Sequence, residues 1–350
     1  GWNSRFFDIP YLINRIRNVL GEKMVNKLSH WGWYKENEIT LFGNRNQQVF
    51  ELVGISSIDY MDAYKKFTYV NQESYSLNHV AYAELGEKKL DYSEYSSLHE
   101  LYKTNFQKFV DYNVRDVVLL EKLEEKMKLL EMIISLAYMA KCNFNDVFSP
   151  VKMWDCIIYN HLLREKIVIP QKKRERKGDA YEGAYVKSPQ KGRHKWIVSF
   201  DMNSLYPNLI MQYNISPETI KGMHKTVPGV DEMLTQSFDT SFLKKKQETI
   251  TPNGALFDCT KYGFLPEMLS EMYTDRKATK KEMLKTQQKY EDTKDSKYKH
   301  QIASLHNKQM ALKITLNSAY GAIGNQYFRF YDIKIAKDVT FGGQFSIKSK

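Results

Sequence analysis

Cysteine is scarce in this chain, and its three residues, Cys142, Cys156 and Cys259, lie far apart. They form no CxxC pair and no cluster with histidine, which argues against a disulfide framework or a zinc site. Long apolar runs are also missing, since the longest, LLEMIISLAYMA at 129–140, is too short to span a bilayer and contains Glu131. No signal peptide, internal repeat or low-complexity tract is visible. These absences predict a protein with reduced thiols in a cytosolic setting.

Acidic residues are outnumbered, because 52 Lys and Arg residues against 41 Asp and Glu residues give a net charge of +11. The basic residues recur in clusters, including the segment QKKRERKGD at 171–179. We expect a nucleic acid as the anionic partner, because neutralisation of phosphates dominates such binding. Charge alone leaves open a basic protein that is merely soluble, and the 171–179 segment by itself indicates a solvated linker.

The chain has 350 residues, enough for two or three domains, and 42% of them are hydrophobic, as in ordinary globular proteins. Apolar spacing predicts strands at 39–43, 48–60 and 195–201, and helices at 11–20, 106–134, most of 129–170, 265–291 and 300–320. Another helical run follows the Tyr206-Pro207 turn, whereas residues 221–262 show weak periodicity and no motif. The helices at 265–291 and 300–320, the second closed by Gly321, are joined by a short polar turn and form an αα-hairpin.

The predicted hairpin carries cations at helical spacing. Arg276 and Lys280 are four residues apart and share a face of the first helix, and Lys313, Asn317 and Tyr320 share a face of the second. If the helices are antiparallel, three cations and an amide converge on one anion, for which a triphosphate is suited, since Arg offers a fork and Lys a point charge. The alternative is that Arg276 and Lys280 only solvate a lysine-rich helix. The mid-helix Asn-Ser-Ala-Tyr-Gly run has poor helix propensity and calls for another explanation.

Asp201 closes the apolar run KWIVSF, and the Tyr206-Pro207 turn follows it. A carboxylate at the carboxyl end of a strand suits a divalent metal that a phosphate can reach. A single Asp is an incomplete site, because Mg²⁺ chemistry on phosphates uses a second carboxylate, and Asp201 taken alone could be a cap or turn residue. The order of the features favours the metal, because a strand-end Asp, an aromatic turn and a cationic hairpin ending in NSAYG follow one another.

Two of these segments resemble motifs of the family B DNA polymerases. SFDMNSLYPNLI at 199–210 resembles the first polymerase motif, and KITLNSAYGAIGN at 313–325 resembles the second. Between them, Arg276 and Lys280 are similar to the cations of the family's fingers helix, and YEGAYV at 181–186 resembles the element that contacts the template. The sequence segments that flank these motifs resemble most the replicative polymerases of T-even-like bacteriophages. Five or six motifs in the family's order are far more specific than any single motif.

The resemblance implies roles for the matching residues of the polymerase part. Asp201 would bind the catalytic Mg²⁺ ions, with Mn²⁺ as a substitute, and Tyr206 would stack under the incoming deoxyribose and reject a ribose 2′-hydroxyl. The residues implied to bind the nucleotide are Leu205, Tyr206, Arg276, Lys280, Lys313, Asn317 and Tyr320, of which Lys313 is also implied to be catalytic. The residues implied to contact DNA are Tyr181, Gly183, Ala184 and Gly321.

Two upstream segments resemble exonuclease motifs of the same family. GWNSRFFDIPYL at 1–12 resembles the second exonuclease motif, and DYNVRD at 111–116 resembles the third. The resemblance implies that Asp8 and Asp116 are metal ligands and that Tyr112 orients the attacking water. Taken alone, Asp8 could cap a helix that begins near Pro10, and Asp116 could be a polar face residue of its helix.

The sequence departs from the family pattern in several places. It contains neither the D-x-E pair of the first exonuclease motif nor the D-T-D-like polymerase motif, since DTKD at 292–295 falls on the hairpin turn. We therefore expect a central fragment of a longer protein rather than a degenerate one. Asn208 stands where the family usually has Ser, and Ala319 stands where it has a larger residue.

The resemblance and the patterns together predict an α/β multidomain fold. The expected parts are a ribonuclease-H-like 3′–5′ exonuclease domain (1–128), a helical connector (129–171), the first part of a palm (172–262), helical-hairpin fingers (263–325) and a continuation of the palm (326–350).

The expected function is DNA-directed DNA polymerisation with 3′–5′ proofreading, in viral DNA replication. The expected partners are primer-template DNA, dNTPs, a sliding clamp and other replisome proteins, with no membrane, in the cytoplasm of an infected bacterium. A DNA- and nucleotide-binding module without turnover is the alternative for the isolated chain. A polymerase that uses ribonucleotides is disfavoured by Tyr206.

Overall fold

The computed structural model describes residues 1–41, 45–68, 70–172 and 183–349. The chain divides into two compact units, Gly1–Ile134 with Asn143–Phe148 and Ser135–Cys142 with Ser149–Lys350. Helices and small antiparallel sheets occur together, which confirms the predicted α/β class. None of the helices in the described ranges combines the length and the apolarity needed to cross a bilayer.

The first unit is built from helices and a β-hairpin. Its elements are α1 (Asp8–Leu20), α2 (Glu22–Asn26), β1 (Tyr34–Leu41), β2 (Arg45–Leu52), α3 (Tyr60–Phe67), α4 (Leu77–Leu85), α5 (Leu98–Thr104) and α6 (Phe106–Met127). Strands β1 and β2 pair antiparallel, with Tyr34 opposite Leu52. Ile13 of α1 is fully buried against Val25 and Phe50, so the apolar face of α1 packs on the hairpin.

Two predictions for the first unit need correction at their ends. The strand predicted at 48–60 begins earlier, at Arg45, and ends at Leu52, because Gly54 adopts a positive φ of 86° and the Ile55 N–H donates to the Leu52 carbonyl at 3.2 Å, which closes a turn. Asp59 accepts a hydrogen bond from the Met61 N–H and caps α3. The helix predicted over 106–134 is two helices, α6 and α7 (Leu129–Ala140), because Lys128 adopts the left-handed conformation with φ 55°. The helix predicted at 11–20 is confirmed and begins earlier, at Asp8.

The second unit combines helices with a small sheet. Beyond α7, a 3₁₀ helix (Phe144–Phe148) of the first unit precedes α8 (Pro150–Arg164), α9 (Leu205–Tyr213), β3 (Ile220–Met223), α10 (Gly229–Leu234), α11 (Ser241–Lys246), β4 (Glu248–Ile250), β5 (Ala255–Asp258), α12 (Phe264–Thr293), α13 (Lys297–Ile323) and α14 (Ile333–Lys348). The sheet has the strand order β3-β5-β4 and is antiparallel throughout. Residues 221–262, which show weak periodicity, thus contain strands of three or four residues, too short to give an alternating pattern.

The predicted αα-hairpin is confirmed as α12 and α13, which pack on each other along their length. Lys294 ends α12 in the left-handed conformation, and its N–H donates to the Tyr290 carbonyl at 2.7 Å. The prediction that the second helix ends at Gly321 is wrong, because α13 continues to Ile323 and is capped by Gly324. Gly321 has helical geometry and open space on its Cβ side, so it does not act as a cap.

The strand predicted at 195–201 is wrong. These residues have no regular secondary structure, and the apolar side chains stand in solvent, with Trp196 97% exposed and Phe200 89% exposed. Trp196 also has a positive φ of 60°, which breaks an extended run. The physical reason is that a strand needs a neighbouring strand for its backbone groups, and within the described residues none pairs with this segment.

Candidate functional site

Asp201 lies one turn before α9, in an exposed and irregular segment. The turn that follows is closed by Asn208, whose side-chain amide donates to the carbonyls of Asn203 at 2.9 Å and Ser204 at 3.1 Å. Ser204 accordingly adopts the left-handed conformation at the start of the helix, with φ 50°. The Asp201 carboxylate has no hydrogen bond or ion pair with any other described residue.

Tyr206, in the first turn of α9, contacts Tyr320 of α13. Their ring centroids are 4.6 Å apart and the planes are tilted by 49°. Burial, with a smaller contribution from Tyr320, raises the pKa of Tyr206, so its hydroxyl stays protonated at neutral pH. The structure therefore brings together two of the predicted nucleotide-binding residues, from motifs more than a hundred residues apart in the chain. Leu205 immediately precedes Tyr206 and is half-buried.

Arg276 and Lys313 lie at nearly the same height on the hairpin. Because a helix rises about 1.5 Å per residue and the turn spans Lys294–Ser296, both residues lie at a similar distance from the tip. The Arg276 Nε is buried without a hydrogen-bond partner among the described residues. Lys280 and Asn317 are exposed and Lys313 is half-buried. Arg276 and Lys313 thus lie at comparable heights on antiparallel neighbouring helices, whereas Lys280 lies nearer the tip and Asn317 farther from it. The convergence of these groups on one anion stays a prediction.

The residues around the second polymerase motif are fixed by contacts that the sequence did not indicate. The Tyr320 hydroxyl hydrogen-bonds to Thr340 Oγ1 of α14 at 2.9 Å. The Trp154 indole of α8 donates to Ser318 Oγ at 3.0 Å, and Ser318 in turn donates to the Thr315 carbonyl at 2.8 Å. The Trp154 and Thr340 bonds tie α13 to α8 and α14.

Asp338 is another residue whose importance the sequence did not indicate. It is fully buried in α14, and its Oδ1 accepts hydrogen bonds from Thr251 Oγ1 at 2.7 Å and Asn253 Nδ2 at 2.9 Å. Burial raises the pKa of this carboxyl to about 7, although the two hydrogen bonds lower it. A lone Asp in the run AKDVTF carries no local signal, because its partners belong to the turn between β4 and β5.

The predicted DNA-contacting residues are only partly described. Tyr181 lies outside the described residues. The Gly183 carbonyl accepts a hydrogen bond from Gln344 Nε2 of α14 at 2.7 Å, and Ala184 is exposed. Gly321 lies in α13, directly after Tyr320. The 183–184 segment is thus attached to the same helix, α14, that contacts Tyr320.

A separate candidate site lies in the first unit, on α6. The Asp116 carboxylate forms a 2.7 Å ion pair with Lys89, whose ammonium also donates to the Tyr112 hydroxyl at 3.3 Å. Burial lowers the pKa of Lys89, but the hydrogen bonds to Asp116 and Tyr112 outweigh it and raise the pKa overall. The other Asp116 oxygen, Oδ1, is buried and lacks a partner among the described residues. Asp116 and Tyr112 are therefore adjacent on one face of α6, linked by Lys89.

Asp8 is exposed in the first turn of α1, where a negative charge is favourable, but it does not cap the helix. The preceding loop is fixed by Asp59, whose carboxylate accepts the N–H groups of Asn3 at 2.9 Å and Arg5 at 3.0 Å. Asn3 takes a positive φ of 61°, which turns the chain into the helix. No side chain in the described part of the molecule pairs with the Asp8 carboxylate.

The donor chemistry of both sites suits a hard divalent cation. Asp201 and Asp8 present exposed carboxylates, and Asp116 has a buried oxygen with a free lone pair, whereas Mg²⁺ prefers carboxylate oxygens and often keeps several waters. Throughout the described ranges, however, no three His, Cys, Asp or Glu side chains converge into a complete metal centre.

Comparison with known proteins identifies two matching domains. The profile of DNA polymerase family B matches residues 151–349, and the profile of that family's exonuclease domain matches residues 1–80. The chain is 33% identical over 391 residues to the DNA-directed DNA polymerase of Escherichia phage RB69, covering 99% of this chain and 42% of the relative. It is 33% identical over 390 residues to that of Enterobacteria phage T4, with the same coverage.

A cellular relative is more distant. The chain is 29% identical over 367 residues to the DNA polymerase delta catalytic subunit of Candida albicans, covering all of this chain and 33% of the relative. The chain spans about two fifths of the length of the curated phage relatives that it matches.

Proposed function

The chain belongs to the family B DNA polymerases, and on that premise we propose that the whole protein extends primers with dNTPs and proofreads them by 3′–5′ exonuclease action. The observation that carries the proposal is the contact between Tyr206 and Tyr320 beside the cationic hairpin. It brings one residue of each polymerase motif into contact, and Arg276 and Lys313 lie at one height on the adjacent helices, which supports a single site.

In the polymerase site, the primer 3′-hydroxyl attacks the α-phosphate of the dNTP, the α–β phosphoanhydride bond breaks, and pyrophosphate leaves. Asp201 would hold Mg²⁺, which stabilises charge on the attacking and leaving oxygens when bound. Tyr206 lies under the deoxyribose and excludes a 2′-hydroxyl. Tyr320 supports the Tyr206 ring and borders the nascent base pair.

The hairpin binds the triphosphate in this proposal. Arg276 presents a guanidinium fork to the phosphate oxygens, and its Nε has no competing partner among the described residues. Lys280 and Lys313 would supply point charges, and Lys313 would neutralise charge on the departing pyrophosphate. Asn317 donates from its amide. Leu205, directly before Tyr206, would also contact the nucleotide.

In the exonuclease site, Asp8 and Asp116 would hold the divalent metal, and Tyr112 would orient the water that attacks the terminal phosphodiester. Lys89 holds the Asp116 carboxylate and the Tyr112 hydroxyl in one arrangement, which supports a joint role for them. An ammonium in that place also offsets part of the negative charge of the site.

We further propose the same arrangement of parts as the sequence predicts. The parts are the exonuclease domain (1–128), the helical connector (129–171), the palm (172–262 and 326–350) and the fingers (263–325). Gly183, Ala184 and Gly321 would contact primer-template DNA, as would Tyr181. The protein would act with a sliding clamp and other replisome proteins in viral DNA replication, in the cytoplasm of an infected bacterium.

Primer extension by the intact enzyme tests the proposal. Asp201→Asn should lower kcat on the order of a thousandfold, because a metal-held carboxylate supplies several kcal/mol of charge stabilisation. Arg276→Ala should raise the KM for dNTPs on the order of a hundredfold, since a charge-assisted contact to phosphate is lost.

Lys277→Ala is the matched control, because Lys277 neighbours Arg276 on α12 but is exposed and lies over the Tyr273 ring. It should leave kcat and KM within about twofold, as surface changes usually do. Unchanged kinetics in the Asp201 and Arg276 variants would refute the proposed polymerase site.

A further inference from the structure

The ring of Tyr206 is confined by two neighbours from different helices. One is Tyr320 of α13, at 4.6 Å between centroids. The other is the backbone of α14 at Gly343, where a Cβ atom would lie 3.0 Å from Tyr206 Cε1 and 3.8 Å from Cδ1. The ring edge therefore rests on a position that has room for a hydrogen atom and little more.

Gly343 is an unexpected residue for this position on local grounds. It is buried in the interior of α14, where glycine costs about 1 kcal/mol of helix stability relative to alanine. Its φ is not positive, so no special backbone conformation calls for glycine. The close approach of Tyr206 is the structural reason for a missing side chain.

The second neighbour, Tyr320, is itself held by α14. Thr340 lies one turn before Gly343 and is buried, and its hydroxyl donates to the Ala336 carbonyl at 2.9 Å. Because its proton is used there, Thr340 Oγ1 accepts from the Tyr320 hydroxyl at 2.9 Å. This bond fixes how far the Tyr320 ring reaches towards Tyr206.

We propose that Gly343 and Thr340 of α14 are positioning residues that set where the Tyr206 ring stands, and thereby set the affinity for dNTPs and the exclusion of ribonucleotides. The inference rests on the proposed function, in which Tyr206 lies under the incoming sugar. Both neighbours restrict the ring on its protein side, so its remaining freedom is towards solvent and the sugar. A displacement of a few tenths of an ångström in that direction brings the ring into the space of the sugar.

Gly343→Ala in the intact enzyme should therefore raise the KM for dNTPs about tenfold and change kcat less than about twofold, because misplacement of a substrate contact by a fraction of an ångström has effects of that size. In a Tyr206→Ala background the same substitution should leave the KM unchanged, since no ring is left to displace. Gly342→Ala is the matched control, because its Cβ would meet Tyr213 and Leu209 but not Tyr206. It should leave both constants unchanged.

Thr340→Val supplies an independent variant. It keeps the size of the side chain and removes the acceptor for Tyr320, so the ratio of kcat/KM for dNTP over rNTP should fall about fivefold. Thr340→Ser restores the hydroxyl and should restore the ratio.

The outcomes distinguish a failure of the proposed function from a failure of the positioning role. Absence of primer extension by the wild-type enzyme would overturn the proposed function itself. If the enzyme extends primers, two results would overturn the positioning role alone. One is that Gly343→Ala changes the KM for dNTPs equally with Tyr206 and with Tyr206→Ala. The other is that Thr340→Val has the wild-type ratio of kcat/KM for dNTP over rNTP.

Discussion

At the scale of single residues, Asp338 shows how burial changes an ordinary carboxyl. Its Oδ1 is hydrogen-bonded to Thr251 and Asn253, but its Oδ2 is buried without a partner among the described residues. Burial comes first among the causes that raise its pKa to about 7, and the charge of Asp332 adds to it. The folded protein therefore prefers this carboxyl protonated.

This preference predicts a pH-dependent stability. The pKa of this carboxyl is about 7 in the folded protein and near its ordinary value in the unfolded chain, so at a pH between these values folding takes up a proton. Its contribution to stability is therefore complete at low pH and is lost as the pH rises towards 7. Asp338→Asn does not titrate. Between pH 5 and pH 8, its free energy of unfolding should fall by roughly 2 kcal/mol less than that of the wild type.

Urea unfolding at several pH values measures this difference, with Asp275→Asn, an exposed carboxylate on α12, as the control. Parallel curves for wild type and Asp338→Asn across this range would contradict the role assigned to the buried carboxyl.

The motif residues could be proposed from the sequence because their spacing is local, whereas the positions of Asp338, Thr340 and Gly343 against their partners could not. Asp338 meets Asn253 across 85 positions of the chain, and Tyr320 meets Thr340 only because α13 and α14 fold back together. Contacts between residues so far apart in the chain cannot be predicted from a single sequence unless the residue types themselves are unusual. A buried Asp and a mid-helix Gly are unusual only once their burial is known.

At the scale of elements, helices were predicted better than strands. Helical spacing is a property of one segment, so α1, α12 and α13 could be read from their own residues. The failed strand at 195–201 shows the opposite case, because an apolar run becomes a strand only beside another strand. The break at Lys128 also escaped prediction, because no glycine or proline marks it.

The tip of the αα-hairpin gives a prediction at this scale. Lys294 ends α12 in the left-handed conformation, which costs a non-glycine residue about 1 kcal/mol. Lys294→Gly should raise the free energy of unfolding by roughly 0.5 kcal/mol, after allowance for the lost exposed ion pair with Glu291. The same change at Lys297, inside the first turn of α13, should lower it by about 0.5–1 kcal/mol.

Unfolding of both variants in urea measures the pair under one set of conditions. Both substitutions remove an exposed lysine beside an acidic partner, so charge is matched and the backbone conformation differs. A loss of stability in Lys294→Gly equal to that of Lys297→Gly would show that the left-handed backbone at the tip carries no strain.

At the scale of the whole molecule, the surplus of positive charge is the dominant feature. A net charge of +11 would attract the proposed nucleic-acid partner at long range, and binding to phosphates releases condensed counterions. Most ion pairs in the described part of the chain have at least one exposed partner, and in the pair of Lys35 with Glu51 both are exposed, so such pairs contribute little to stability. The excess lysine and arginine is therefore better explained by a polyanionic partner than by folding.

Binding of primer-template DNA to the 350-residue chain should accordingly depend steeply on salt. With about four phosphates neutralised, the affinity should fall about a hundredfold between 50 and 200 mM salt, because the logarithm of the association constant falls linearly with the logarithm of the salt concentration. Fluorescence anisotropy of a labelled primer-template across that range gives the slope. An uncharged peptide nucleic acid of the same sequence is the control, and it should not bind, since it has the bases without the phosphates. Equal binding of both ligands, or a slope near zero for DNA, would mean that contacts other than those to phosphates dominate and that the positive charge of this chain serves another purpose.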